Sequence, residues 1–141
     1  MLYFAYGANT DPVGMTERCP RARLQGRATL AGYRLEFRRE ADVTPCNGAS
    51  VEGLIWQITG DCLAALDAFE EYPEVYDRLR LPVRRAVGGD PAAWVYVMVP
   101  RPPLVPPNPA YLSTLRRGYT AHRLPTEQLN TALDRARDGT R

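Results

Sequence analysis

The sequence predicts an α+β protein built on a mixed β-sheet, and three features of the chain predict it. Five or six strand-like runs are interrupted by helix-like ones. Their links mix hairpin turns with longer crossovers, which calls for antiparallel and parallel neighbours in one sheet. The strands are long enough for that sheet to curl into a barrel. At 141 residues, the whole of 1–141 is expected to be one domain with a core that stands without staples.

Leu2-Tyr3-Phe4-Ala5-Tyr6 is a continuous apolar and aromatic run that suits a strand covered on both faces. It stops at Gly7-Ala8-Asn9-Thr10. Gly7 and Asn9 tolerate unusual backbone angles, and Thr10 or Asp11 followed by Pro12 is a helix start. Such a junction aims unpaired backbone N–H groups at one spot, where carbonyl oxygens or anions can bind. A short helix through Met15 closes at Cys19-Pro20. From Ala22 the chain becomes strand-like, with Tyr33, Leu35 and Phe37 alternating with Arg34, Glu36 and Arg38 to give one wet face. Pro45 to Ala49 is expected as a loop. Val51 to Ile58 returns as strand, with Leu54, Trp56 and Ile58 on one side, and Gly53 within it marks a bulge or a close approach by another group.

Thr59 can cap the next helix, with Asp61 favourable in its first turn. From Tyr76, Leu79, Leu81 and Val83 alternate with Arg78 and Arg80 in a strand. Gly88-Gly89-Asp90-Pro91 turns the chain back through Ala93 to Val99. Pro100 to Pro107 holds five of the thirteen prolines and reads as a stiff extended connector. Asn108 caps and Pro109 opens a helix with Leu112, Leu115 and Tyr119 on its apolar side, and Pro125 starts a last one through Leu129 and Leu133. Fraying is expected from Asp138 onward.

Composition excludes several function classes. The apolar fraction of 45% and charged fraction of 24% are those of an ordinary soluble protein. No run approaches a membrane span and no basic region precedes Leu2, so a cytoplasmic protein without membrane contact is expected. The 18 basic residues are all Arg and the net charge is only +2. They are scattered among acids, which speaks against a nucleic-acid partner. Cys19, Cys46 and Cys62 show no C-x-x-C pairing and are expected as buried small hydrophobes; with His122 as the lone histidine, a surface residue, they do not make a metal or thiol centre.

The stretch from Gly60 to Pro73 carries the chemistry. Leu63, Leu66 and Glu70 fall at i, i+3 and i+7, so an acid shares the helix face that enters the core. Glu71 is turned about 100° away and can sit in water. A carboxylate taken out of water escapes by an upward shift of its pKa, and such a group exchanges protons near neutral pH.

At these residues the chain resembles the γ-glutamylcyclotransferase family. Tyr3-Phe4-Ala5-Tyr6-Gly7-Ala8-Asn9 is similar to the family opening Y-F-A-Y-G-S-N, Arg18-Cys19-Pro20-Arg21-Ala22 to R-x-P-x-A, and Val51 to Trp56 to V-x-G-x-[LV]-[WY]. Leu66 to Glu70 resembles L-D-x-x-E, whose last residue is the family's catalytic glutamate. Leu30 to Phe37 fits the strand between, and Pro107 to Leu112, Gly118 and Leu124-Pro125 fit the family's later motifs. The resemblance implies a small mixed β-barrel with flanking helices. It also implies a cofactor-free reaction on a small-molecule γ-glutamyl amide, whose α-amine closes onto its own γ-carbonyl to give 5-oxoproline and a free amine. Glu70 would be general acid and base, with Tyr6, Gly7, Ala8, Asn9, Tyr76 and Tyr111 contacting substrate. A monomer or homodimer is expected.

Ala8 stands where the family has Ser, removing one hydroxyl while keeping the backbone donors. Glu71 replaces the usual Gly, which would raise Glu70 further were it also desolvated. Arg123 replaces the Gly of G-L-P, where it would favour an acidic leaving portion. The alternatives are a γ-glutamylamine or protecting-group cyclotransferase, and a ligand-binding protein that has kept the fold without turnover.

Overall fold

A computed structural model describes residues 1–139 of the chain. In order, β1 spans Leu2–Ala5, a single 3-10 turn Ala8–Thr10, α1 Pro12–Arg18, β2 Arg23–Arg38, β3 Glu40–Gln57 and α2 Gly60–Phe69. β4 spans Tyr76–Pro82, β5 Arg84–Arg85, β6 Ala92–Met98, α3 Pro109–His122 and α4 Thr126–Gly139. The strands make one mixed sheet in the order β4-β6-β1-β3-β2-β5. β1 is antiparallel to β3, with Tyr3 opposite Trp56, and parallel to β6, with Tyr3 opposite Trp94. Its apolar run is covered on both faces, as Phe4 and Ala5 are at most 1% exposed. β4 and β5 stand at the two ends of that order, yet only Val83 separates them along the chain. One stretch of chain thus reaches both edges and draws the sheet into a half-barrel with four helices around it. No helix among the described residues is long and apolar enough to cross a membrane.

The helix starts follow the capping residues. Asp11 accepts from the N–H of Val13, Thr59 from that of Cys62 and Asn108 from that of Tyr111, with Pro12 and Pro109 in the first turns of α1 and α3. Two glycines let backbones touch. A Cβ on Gly53 would run into the carbonyl oxygen of Ala5 and the Phe4 ring, so Gly53 marks a close approach by β1. A Cβ on Gly118 would meet the backbone of Thr10, so α3 lies directly against the 3-10 turn.

Several expectations need correction. The loop at Pro45–Ala49 is strand: β3 runs through it, and Pro45 sits opposite Tyr33 beside a register shift between Ala31 and Tyr33. The breaker residues there belong to an irregularity within a long hairpin. The reversal itself falls at Arg39, a non-glycine with φ 70°. The wet face of β2 is wet only in part: the Arg34 side chain stays 42% exposed, while Glu36 and Arg38 are covered. Glu36 is 4% exposed and pairs with Arg34 and Arg38, while Arg135 of α4 donates to the carbonyl of Leu35. On β4 the pattern is partly inverted, since Leu79 is exposed whereas Arg78 is half-buried against Asp67. Cys19 and Cys62 are buried as expected but are joined in a disulfide between the end of α1 and the first turn of α2; Cys46 is free. Asp138 and Gly139 remain within α4, and the last residues of the stretch expected to fray, 140 and 141, lie outside the described residues.

Candidate active site

Where β1 ends, the chain turns on itself with few partners. The N–H of Thr10 and its hydroxyl donate to the carbonyl of Gly7, at 3.0 and 2.7 Å, and the N–H of Asp11 to that of Ala8 at 3.1 Å. The N–H groups of Gly7, Ala8 and Asn9 have no turn or side-chain acceptor among the described residues. The turn is held from both sides: Tyr6 donates its hydroxyl proton to the carbonyl of Tyr96 at 2.6 Å, and Tyr119 donates to the carbonyl of Tyr6 at 2.8 Å.

Glu70 faces the same space. α2 ends at Phe69, so Glu70 is its C-cap, one residue beyond the helix in which the spacing had placed it; its N–H bonds to the carbonyl of Leu66 at 2.9 Å. Leu66 is buried and Leu63 partly so, which keeps the apolar face and the direction of the acid. Glu71 is exposed as expected, but it lies beyond the end of α2 and is turned outward by its left-handed backbone at φ 52°, not by a place on the helix. The end of α2 is tied down three residues earlier. Asp67 accepts from the Tyr96 hydroxyl at 2.7 Å and from Arg78 Nε at 2.9 Å, and the Arg78 guanidinium lies 4.7 Å from the Tyr72 ring centre and 4.5 Å from that of Trp94.

Glu70, Tyr6, Gly7, Ala8, Asn9 and Tyr111 all line one cavity. The Tyr111 hydroxyl accepts from the N–H of Ala41 at 2.9 Å and would lie 3.3 Å from a Cβ on Gly7, so it stands over the turn. Tyr76, also expected at the site, is one layer behind: its hydroxyl donates to the carbonyl of Ala41 at 2.6 Å and it buttresses the wall that Ala41 forms. Arg123 does not reach the site. It caps the far end of α3, twelve residues or about 18 Å of helix from Tyr111. His122 beside it is half-buried and likewise remote.

Sequence reasoning missed Tyr3, Glu40, Phe69 and Tyr96, which line the cavity as well, together with Phe4 and Ala41. Tyr3 and Tyr96 sit in apolar strands where nothing separates a core tyrosine from a cavity one. Glu40 follows a hairpin turn that carries no turn signal. Glu40 and Tyr111 also line an outer groove formed with Arg39, Val105, Pro106, Pro107 and Asn108, so they stand where cavity and groove meet. The cavity is tight. About 20 Å³ is open to the centre of a water molecule, room for one ordered water.

Burial pushes the Glu70 carboxyl up to about 8; the charge of Glu40 adds to this and Arg18 opposes it. Burial also raises Glu40, with a contribution from Glu71. The second acid that acts on Glu70 is therefore Glu40, from the neighbouring hairpin, where the sequence had pointed to Glu71. Burial holds the hydroxyls of Tyr3, Tyr6 and Tyr111 well above the usual phenol range, so they remain protonated donors at neutral pH. Among the described residues, no three His, Cys, Asp or Glu side chains are grouped to hold a metal ion.

The family model described as "Gamma-glutamyl cyclotransferase, AIG2-like" matches residues 3–112. Among solved structures, the fold is similar to one titled "Gamma-glutamyl cyclotransferase", with TM-score 0.83 and 24% identity over 94% of this chain and 85% of that one. It is similar to the human uncharacterized protein loc79017, with TM-score 0.82 and 25% identity over 93% and 85%. It is also similar to YkqA of Bacillus subtilis, with TM-score 0.80 and 21% identity over 95% of this chain but 54% of that one. Among proteins of curated function, none matches the sequence.

Proposed function

The chain belongs to the AIG2-like γ-glutamyl cyclotransferase family, and from that premise we propose that it converts a γ-glutamyl amide into 5-oxoproline and a free amine, with Glu70 as proton shuttle. One observation carries the reading. A carboxyl raised by burial to about 8 shares a cavity with Gly7, Ala8 and Asn9, whose N–H groups have no turn or side-chain acceptor among the described residues.

An α-ammonium has a pKa of about 8, so a base of matched affinity takes its proton at little cost. The freed amine attacks the γ-carbonyl carbon and the ring C–N bond forms. The carbonyl oxygen becomes an oxyanion, which donors at the turn stabilise. Glu70 then returns the proton to the leaving nitrogen and the old C–N bond breaks; the regenerated carboxylate takes the second proton from the ring nitrogen and hands it to the departing amine, which leaves as an ammonium and frees the base for the next turnover. Attack within one molecule has effective molarities on the order of 10⁵ M or more once the chain is held bent. The narrow cavity favours that bend, and its mouth must yield to admit the glutamyl chain. Phe69, which lines the cavity, is 42% exposed.

The leaving portion would lie toward the outer groove, past Glu40. Glu40 would repel a carboxylate there and Arg39 of the same groove would attract it, so the groove accepts both γ-glutamyl amines and γ-glutamyl amino acids. With Arg123 remote, the argument for an acidic leaving portion lapses.

The test is 5-oxoproline release across γ-glutamyl amines and γ-glutamyl amino acids, wild type against Glu70→Gln. The expected result is a loss of kcat on the order of 10³-fold with substrate binding kept. Wild-type turnover by the Gln variant on every substrate would rule out the shuttle.

A further inference from the structure

Tyr3 lies in β1, is buried and lines the cavity. Its hydroxyl oxygen receives a hydrogen bond from Asn9 Nδ2 at 2.9 Å, and Asn9 Oδ1 in turn receives one from Arg18 Nε at 2.7 Å. The direction of this chain is fixed by its first member. A guanidinium can only donate, so the amide oxygen of Asn9 must face Arg18 and its NH₂ must face Tyr3. The Tyr3 oxygen is then an acceptor toward Asn9, and its single proton must point elsewhere. No acceptor among the described residues takes that proton, and no hydrogen bond joins it to Glu70.

Each donor in such a head-to-tail series polarises the next. Here a permanent cation stands at the head, and Arg18 is held there by packing, its guanidinium 3.8 Å over the centre of the Phe69 ring beside Glu70. At the tail is the Tyr3 phenol, whose proton has no acceptor among the described residues, on the cavity that holds the proposed base. Burial and the charge of Glu70 keep that phenol protonated, while Asn9 and Arg18 pull it toward greater acidity.

Resting on the cyclotransferase reading above, we propose that Tyr3 is a further catalytic residue: its hydroxyl donates a hydrogen bond to the oxyanion that forms on the γ-carbonyl oxygen as the ring closes. Asn9 and Arg18 are the positioning residues that aim and polarise it. The proton is shared with the oxyanion and stays on Tyr3, so the proton balance of the Glu70 shuttle is unchanged.

The experiment compares wild type, Tyr3→Phe, Arg18→Met and the double variant in full-length protein, each at its own pH optimum, on a γ-glutamyl amide that the wild type turns over. Tyr3→Phe is expected to lose about 10²-fold in kcat with KM within about threefold, the size of one oxyanion donor. Arg18→Met is expected to lose about tenfold alone and nothing further beside Tyr3→Phe, as members of one relay do. Unchanged kcat in Tyr3→Phe with a lowered Tm would mean that Tyr3 only supports Asn9, and would overturn the proposal. Additive losses would overturn the relay. Should Tyr3→Phe fail to fold, 3-fluorotyrosine at position 3 keeps the shape and makes the phenol more acidic: kcat should change at constant KM, and an unchanged kcat counts against the proposal. A wild type that releases no 5-oxoproline from any amide tested overturns the cyclotransferase reading itself; an active wild type with an equally active Tyr3→Phe overturns only the role of Tyr3.

Discussion

Replacing Glu70 by Gln should make the protein more stable at alkaline pH, and the size of the gain follows from the site. The Glu70 carboxyl titrates at about 8 in the fold, against 4.5 for an ordinary glutamate, first because it is buried and second because Glu40 is near. Between those values the folded chain holds a proton that the unfolded chain has released. Stability contributed by this group therefore falls as pH rises through the window from about 4.5 to about 8 and stays low above it. The full gap corresponds to on the order of 5 kcal/mol. Part of the side chain still meets water, so about 2 kcal/mol is expected at pH 9. Gln has nearly the same shape and no charge to lose. The variant and the wild type should differ little at pH 4, and at pH 9 the variant should unfold at a Tm roughly 7 °C higher. Urea unfolding followed by circular dichroism at both pH values measures the difference. A variant less stable than the wild type by the same amount at every pH would refute the reasoning, because it would show a carboxylate satisfied in the fold.

Two further outcomes follow from neighbouring groups. Glu40→Gln removes the charge that helps hold Glu70 up, so the rising limb of kcat/KM against pH should move toward acid; an unmoved limb would exclude that coupling. Breaking the Cys19–Cys62 link, by reductant or by Ser at both positions, frees a loop of 43 residues and should lower stability by about 4 kcal/mol in a denaturant titration. Identical curves with and without reductant would dismiss the link.

What could be read from the chain depended on how local its cause was. Caps and prolines act within one turn, and Asp11, Thr59 and Asn108 begin helices where their chemistry says they should. The direction of Glu70 was legible for the same reason: it rides on the face set by Leu66. The hairpin between β2 and β3 was not. Pro45 and Gly48 look like a loop, but the partner strand absorbs them, and Arg39 makes the turn without any residue that favours it. Glu36 was assigned to water because its own strand alternates, whereas α4, a hundred residues later, covers that face. Glu40 and Tyr3 illustrate the same limit at the site. Each is defined by what another element brings against it, and no spacing within its own strand records that.

The substitution at Ala8 bears on how such a site tolerates change. A serine hydroxyl there would be one donor among several, and the backbone N–H groups of Gly7, Ala8 and Asn9 do not depend on the side chain at position 8. Their aim depends on the path of the chain, which is set by Gly118 of α3 against Thr10 and by Tyr119 on the carbonyl of Tyr6. A donor made of main chain is therefore lost by repacking α3 more readily than by changing the turn itself. The acid is the opposite case. Its proton affinity needs a carboxyl at one place and loses its value with any other side chain, yet it is tuned by groups from three elements: Glu40 of β3, Arg18 of α1 and the walls that exclude water. Variation at Glu40 or Arg18 would thus shift the pH at which Glu70 titrates while the carboxyl stays in place.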